Sequence, residues 1–157
     1  MVSLNALISY ISHEYSKEYG EEISEMKLHK LLYLTQRESL IQRGEPLIRE
    51  TFYGWKYGPI LKEVRSTYPS CVRTPYTETD LISEIRPIME SVFSQYAPKD
   101  AWSLSRLTHG EYSWQQSRKG IPDSANSDNP ISIEDIKIDA QRIKERRELL
   151  HQMGFGR

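Results

Sequence analysis

The sequence predicts a mainly α-helical, all-α single domain with only a very short β segment near residues 51–57. Three observations support this fold class. Apolar residues recur three and four positions apart over several long segments, which is the spacing of one helix face. Residues that favour helix ends stand at both ends of these segments. The length of 157 residues fits one domain with its own core, so residues 1–157 are taken as a single unit.

The first two helices have the clearest patterns. The first is predicted between Ser3, whose hydroxyl can accept an orphan backbone N–H, and Gly20, a residue that suits a helix end. The second is predicted from Ser24 to about Gln42. Its residues 31–34 are apolar around nearly the whole circumference, and such a helix is usually buried on all sides. We therefore expect the second helix at the centre of the core.

An aromatic segment follows at residues 51–57. Gly54 within it and Gly58 after it favour a bent path rather than a long strand. Pro59 has no N–H to lose in the first turn of a helix, so a short helix is predicted from Pro59 to about Thr67. Residues 68–80 hold two prolines and several Ser and Thr residues, and they are predicted to form a loop.

Two further helices are predicted in the middle of the chain. One spans about Arg86–Tyr96 and has Pro87 near its start, because proline breaks the interior of a helix. Asp100 is the predicted cap of the other, which ends before Gly110. Its Trp102 side chain is expected to be available for packing.

A loop and a long helix are predicted to close the chain. Residues 120–131 are rich in Gly, Pro, Ser and Asp, and they form the predicted loop. Ser132, followed by Asp135, is a weak capping signal for a last helix that ends near His151. Arg147 interrupts the narrow apolar seam of this helix. The seam suits docking either on the rest of the domain or on a partner.

Composition and charge narrow the function classes. Hydrophobic residues make up 38% and charged residues 27%, as in ordinary soluble proteins, and no apolar run is long enough to cross a bilayer. The first residues lack the basic stretch of a secretory signal, and Cys71 is the only cysteine, so a cytoplasmic protein is expected. The formal net charge of −1 argues against nucleic acid as the partner, because binding to phosphates usually requires a basic excess.

The sequence contains no recognisable metal or cofactor motif. The four histidines have neither a His-x-x-x-His spacing nor a cysteine pair beside them. A glycine-rich phosphate loop and a Gly-x-Ser-x-Gly elbow are also missing from the sequence. We therefore expect neither a metal nor a cofactor.

Three motifs stand in order along the chain. Residues 26–33 read Met-Lys-Leu-His-Lys-Leu-Leu-Tyr, residues 52–60 read Phe-Tyr-Gly-Trp-Lys-Tyr-Gly-Pro-Ile, and residues 104–109 read Leu-Ser-Arg-Leu-Thr-His. Trp114 and Arg118 follow them. Together these segments resemble the SocA-like (Panacea domain) antitoxin family, which includes phage-associated GepA-like proteins. The resemblance covers roughly residues 5–140.

The sequence departs from the family's pattern at two positions. Ser113 stands where the family often has proline before the tryptophan, and Asp139 stands where an aromatic residue is common near the end of the domain. Both positions lie outside the three motifs. The resemblance is therefore less complete in the last third of the chain.

The resemblance implies an antitoxin of a type II-like toxin–antitoxin system. Such a protein is no enzyme and neutralises a cognate protein toxin, encoded by the adjacent gene, through direct binding. One alternative is an adaptor that delivers the toxin to a protease. Another is an enzyme that acts on nucleotides or phosphoesters, which needs four polar side chains to converge in an open pocket. These side chains are His29, His109, Lys56 and Arg118.

Candidate contact residues come from the motifs, because aromatic and arginine side chains commonly anchor protein interfaces. The predicted toxin-binding residues are Tyr53, Lys56, Tyr57, Trp114 and Arg118. A structural role is predicted for Trp55, Gly58, Pro59, Thr108 and His109. A competing interpretation buries Trp55 and Tyr57 in the core and turns Lys56 outward, because alternate residues of an extended segment face opposite sides.

Overall fold

The computed structural model describes residues 1–77 and 80–155, and within these ranges eight α-helices accompany one antiparallel β-hairpin. The predicted fold class, mainly helical with a very short β segment, is therefore confirmed. The elements in chain order are α1 (Leu4–Tyr19), α2 (Glu25–Arg43), β1 (Phe52–Trp55), β2 (Gly58–Leu61), α3 (Lys62–Thr67), a 3₁₀ turn (Ser70–Val72), α4 (Asp80–Glu84), α5 (Arg86–Gln95), α6 (Ala101–His109), α7 (Tyr112–Ser117) and α8 (Ile133–Gln152).

Helix α2 lies at the centre of the domain. Its side chains are buried without a break from Lys27 to Leu40, and it packs against α1, α3, α5, α6, α8 and β2. The apolar circumference at residues 31–34 is fully enclosed. The predicted central helix is confirmed, and the other elements are arranged around it.

The predicted caps begin and end the main helices. Four side chains accept a hydrogen bond from a backbone N–H in the first turn of α1, α2, α6 and α8: Ser3, Ser24, Asp100 and Ser132. Gly20 and Gly44 end α1 and α2 with a left-handed backbone, which glycine adopts without a steric penalty. These short-range signals explain why most of the predicted helix boundaries agree with the structure.

The position of Pro59 was predicted wrongly. It lies in β2, opposite Gly54 of β1, and α3 begins three residues later at Lys62. The Gly54 N–H donates to the Asn129 carbonyl at 3.1 Å, so it takes no part in the hairpin. The Gly54–Pro59 pair therefore needs no N–H from residue 59, and a proline is tolerated there.

Residues 129–131 cover the free edge of β1. The Ile131 N–H donates to the Phe52 carbonyl at 2.8 Å, and Tyr53 forms an isolated bridge with Pro130. The loop predicted at residues 120–131 contains no helix, as expected. Its end supplies the hydrogen bonds that an exposed strand edge would otherwise lack.

Two short helices were not predicted. Helix α4 comes directly before α5, and α7 follows α6 after a short turn. The predicted loop at residues 68–80 holds the 3₁₀ turn and is otherwise irregular where it is described, while its positions 78 and 79 lie outside the described residues. The residue before α7 does not cap it with its side chain, so the usual sequence signal for the start of a helix is missing.

Two neighbouring charged residues of α2 are buried and tie the domain together. Arg37 donates to Glu111, just before α7, and to the Tyr96 hydroxyl at the end of α5. Glu38 accepts two hydrogen bonds from Arg147 of α8, at 2.8 and 2.9 Å. This pairing with a buried carboxylate explains why Arg147 interrupts the apolar seam of α8.

Candidate functional site

Residues of all three sequence motifs meet at the β-hairpin. Lys30 of α2 is only 1% exposed and directs its ammonium towards the Pro59 carbonyl at 3.5 Å. From α6, the Ser105 hydroxyl donates to the Tyr57 carbonyl at 2.6 Å. The turn of the hairpin is thus held by side chains from two helices.

Gly58 allows this close packing. Its φ of +113° lies in the range that side-chain-bearing residues rarely adopt. A Cβ at this position would also lie 2.6 Å from the Lys30 Cε and 2.6 Å from the Thr108 hydroxyl oxygen. Both the backbone and its two neighbours therefore require glycine.

Burial changes the acid–base behaviour of Lys30. Removal from water lowers the pKa of its ammonium to about 8, although the charge of Glu25 acts in the opposite direction. At neutral pH most of the population still carries the positive charge. The base of the hairpin is therefore electropositive.

His29, beside Lys30 in α2, is hydrogen-bonded to the end of β2. Its Nδ1 accepts a hydrogen bond from the Leu61 N–H at 3.1 Å, and its Nε2 lies 3.0 Å from a Glu25 carboxylate oxygen. Burial lowers the pKa of the His29 ring to about 4, against the raising effect of Glu25. Neutral His29 with its proton on Nε2 satisfies both neighbours.

His109 and Trp114 pack against the opposite side of the hairpin. Their rings stack with centroids 4.3 Å apart, and the Trp114 Nε1–H donates to the Trp55 carbonyl at 2.8 Å. Burial lowers the pKa of His109, while a hydrogen bond with the backbone of Lys56 opposes the shift. Both ring systems are engaged with the hairpin backbone rather than directed into solvent.

Arg118 is also turned inward. It is only 8% exposed, and its guanidinium donates to three backbone carbonyls, those of Gly54, Pro122 and Ala125, at 2.6–3.0 Å. These bonds connect β1 to the loop at residues 120–131. The geometry therefore gives Arg118 a bracing role and leaves little of its surface for a partner.

The outward face of β1 carries Tyr53 and Trp55. The ammonium of Lys62 lies 4.2 Å from the centre of the Tyr53 ring, and the Arg65 guanidinium lies 5.9 Å from that of Trp55. The interpretation that Trp55 plugs the core was wrong, since its side chain is half-buried and lies outside the core cluster. In β1 the inward positions are Phe52 and Gly54, whereas that interpretation turned Trp55 inward, so the strand faces differ from it by one residue.

The hairpin turn exposes an aromatic pair. Tyr57 is 46% exposed and Trp102 of α6 is 55% exposed, and their rings meet edge to face with centroids 5.3 Å apart. The competing interpretation that buries Tyr57 in the core was therefore wrong, and Trp102, expected to be available for packing, packs against Tyr57 at the surface. Helical spacing could have placed Trp102 outward, since it lies two residues before the buried Leu104, on the opposite side of α6.

Two cations flank this aromatic pair. The Lys56 ammonium lies 5.1 Å from the centre of the Tyr57 ring, and Arg106 lies one helical turn after Trp102 on the exposed side of α6. We call these four residues, Lys56, Tyr57, Trp102 and Arg106, the tip surface. Within residues 1–77 and 80–155, neither cation forms an ion pair with a carboxylate.

The four side chains of the enzyme alternative do not form an open pocket. His109 and Arg118 lie against Trp114, but the Lys56 ammonium lies at the Tyr57 ring and His29 faces Glu25 and Leu61. Arg118 already donates to three carbonyls. A cavity of about 530 Å³ beside the start of α1 is lined by none of the four.

Among the described residues, no three His, Cys, Asp or Glu side chains group closely enough to hold a metal ion. No helix in residues 1–77 and 80–155 combines the length and the apolar character that a bilayer crossing requires.

Comparison with known proteins identifies the family. The sequence profile described as "Antitoxin SocA-like, Panacea domain" matches residues 28–115. No curated protein and no solved structure matches the chain significantly. The matched range covers more than half of the sequence and contains Lys30, the whole hairpin, α6 and Trp114. This chain therefore belongs to the SocA-like Panacea domain family of antitoxins.

Proposed function

We propose that this chain is a cytoplasmic, single-domain antitoxin that neutralises a cognate protein toxin by direct binding and catalyses no reaction. The toxin is encoded by the adjacent gene. Family membership supports the general role of an antitoxin. The observation that carries the proposed contact is the exposed pair formed by Tyr57, at the turn of the hairpin, and Trp102 of α6. Residues of all three motifs brace this hairpin.

The physical basis of the contact is a rigid aromatic anchor. Tyrosine and tryptophan are enriched among the residues that dominate binding energy, because large rings displace much water on burial. The Tyr57 backbone is held by Ser105, and Gly58 is packed against Lys30 and Thr108. A turn held in this way loses little conformational entropy on binding, which favours affinity.

The remaining candidate residues divide into two groups. Lys56 and Tyr53 keep part of their surface exposed beside the hairpin, and we keep them as toxin contacts. Trp114 and Arg118 direct their polar atoms to backbone carbonyls, so we assign them to bracing of the hairpin. Trp102 was not among the predicted contact residues and is added to them.

Co-expression with the protein of the adjacent open reading frame tests the proposal. We expect the toxin alone to arrest growth, and the wild-type chain to restore growth and to copurify with the toxin. The double variant Tyr57→Ala/Trp102→Ala should lose both effects, with an affinity at least about 30-fold lower. A harmless neighbour that does not bind the wild-type chain would remove the basis of the proposal.

Controls separate binding from folding and from proteolysis. Tyr19→Ala changes an exposed tyrosine at the end of α1, away from the hairpin, and should still protect cells. Circular dichroism should show that the double variant remains folded. Toxin abundance in the same cultures distinguishes masking, which leaves the toxin level unchanged, from delivery to a protease, which lowers it.

A further inference from the structure

The tip surface is electropositive in a chain whose formal net charge is −1. Lys56 and Arg106 flank the aromatic pair, and the ammonium of Lys30 lies beneath the turn. Two other cations next to the hairpin are paired with carboxylates. Lys62 pairs with Asp128 at 3.1 Å, and Arg65 pairs with Glu25 at 3.0 Å.

The acidic residue nearest in sequence to the tip is already engaged. Asp100 caps α6, and its carboxylate accepts hydrogen bonds from the Ser103 N–H at 2.8 Å and from the Ser103 hydroxyl at 3.1 Å. Helix α6 itself carries no Asp or Glu from Ala101 to His109. The Arg106 guanidinium donates to the same Ser103 hydroxyl at 3.2 Å and attracts the Asp100 carboxylate. Two cations at the tip therefore face one nearby carboxylate, and the excess positive charge is left for a partner to complement.

We propose that the tip surface recognises an acidic patch on the toxin, in which carboxylates surround an apolar pocket that receives the Trp102 and Tyr57 rings. This inference rests on the proposed function and specifies the chemistry of the partner. Complementary charges around a dry aromatic centre accelerate association and disfavour partners of the wrong sign. The aromatic pair supplies affinity, and the two cations supply selectivity.

A nucleic acid fits this surface less well. Two cations offer few phosphate contacts compared with the six to ten that roughly characterise tight duplex binding. Stacking of bases also requires a free ring face. At the tip the Lys56 ammonium lies 5.1 Å from the centre of the Tyr57 ring, and the Trp102 ring meets it edge to face.

Association kinetics at two salt concentrations test the inference. The full chain is mixed with the purified protein of the adjacent open reading frame, and the association rate constant is measured at low and high salt. The variant Lys56→Glu/Arg106→Glu should associate about 10-fold more slowly at low salt, and the difference should shrink at high salt because ions screen the attraction.

A second variant with the same change in net charge locates the effect. Lys144→Glu/Arg146→Glu alters two exposed cations of α8, and we expect it to slow association less than about twofold. Similar slowing by both variants would contradict recognition at the tip. Association of Lys56→Glu/Arg106→Glu at the wild-type rate would also contradict recognition at the tip. The proposed function would still stand in that case, because binding itself is retained.

Two further results separate failure of the proposed function from failure of the proposed partner chemistry. If the wild-type chain forms no complex with the toxin, the proposed function fails and the inference about its partner fails with it. If a short duplex DNA or RNA binds the wild-type chain more tightly than the toxin does, and Lys56→Glu/Arg106→Glu abolishes that binding, the tip is a nucleic-acid site. That outcome would overturn the proposal that the tip surface recognises an acidic patch on a protein.

Discussion

The backbone N–H of Ser113 donates a 2.9 Å hydrogen bond to the carboxylate of Asp139, 26 residues later in the chain. The other carboxylate oxygen accepts the Tyr112 N–H at 2.8 Å. Asp139 of α8 thereby caps the first turn of α7 from a different helix. The Ser113 hydroxyl completes the cluster with a 2.6 Å hydrogen bond to the Tyr33 hydroxyl of α2.

Loss of the Asp139 carboxylate should destabilise the whole domain. Asp139 is only 2% exposed, so Asp139→Ala would leave two backbone N–H groups without their acceptor in the interior. We expect the free energy of unfolding to fall by about 3 kcal/mol, measured by urea denaturation. Glu134→Ala, at an exposed position in the first turn of α8, should change it by less than about 0.5 kcal/mol.

Proline at position 113 should not be tolerated here, although it is frequent in the family's pattern. Ser113→Pro removes both the N–H bonded to Asp139 and the hydroxyl bonded to Tyr33, and we expect a loss of about 2 kcal/mol. In the Asp139→Ala background the same change should cost about 1 kcal/mol less, because the acceptor is already missing. Equal costs in the two backgrounds would show that the pair is not coupled.

The stability of the domain should fall with acid through His29. The pKa of its ring is about 4 in the folded chain and roughly 6.5 when unfolded, so the unfolded state binds more protons between these values. The contribution of neutral His29 is complete above about pH 7 and decreases as the pH falls, by about 2 kcal/mol at pH 5. His29→Gln should reduce the measured difference in unfolding free energy between pH 7.5 and pH 5 by this amount.

The control for the pH experiment is another histidine. His151 is exposed near the end of α8, and His151→Gln should retain the full pH dependence of the wild-type chain. An unchanged pH dependence in His29→Gln would mean that carboxylates, such as Glu38, account for the acid sensitivity. Arg147 lowers the pKa of Glu38 against the raising effect of burial, so Glu38 also stabilises the fold less as the pH falls.

Gly58→Ala should be more costly than an ordinary glycine substitution. It combines a strained φ with overlap between the new Cβ and the side chains of Lys30 and Thr108. We expect a loss of about 3 kcal/mol in unfolding free energy. Gly20→Ala has a φ of +71°, close to the ordinary left-handed region, and no atom within 4 Å of the new Cβ, so it should cost only about 1 kcal/mol. Similar values for both variants would mean that neither the crowding nor the larger φ at the hairpin adds a cost.

Arg118→Ala should loosen the loop at residues 120–131. The substitution removes three hydrogen bonds to carbonyls, so the start of this segment loses its link to β1, and only its end stays bonded to the strand through Asn129 and Ile131. Limited proteolysis with mass spectrometry should detect faster cleavage within the loop, and Arg118→Lys should not restore protection, because one ammonium cannot reproduce the planar fork of the guanidinium. If Arg118→Ala instead resists proteolysis like the wild-type chain but no longer binds toxin, the side chain is a direct contact.

Most helices of this protein follow from local sequence. The cap residues Ser3, Ser24, Asp100 and Ser132 act within four residues of their own positions, and their hydrogen bonds form as expected. The apolar circumference of α2 predicted its central position. Such features depend on neighbours along the chain, so periodicity and capping rules are sufficient to recognise them.

Contacts between distant segments decided the rest. The register of β1 turned Trp55 outward and put Pro59 at a position of β2 that gives no N–H to β1. Residues 129–131 satisfied the free edge of β1. Helix α7 receives its cap from Asp139, which no local pattern could indicate. When the register of a strand shifts by one residue, its inward and outward side chains change places. A carboxylate from a distant segment can cap a helix in place of a neighbouring residue. The surface at Tyr57 and Trp102 therefore emerged only when hairpin and α6 were packed together, because exposure is a property of the assembled neighbours and not of the residue itself.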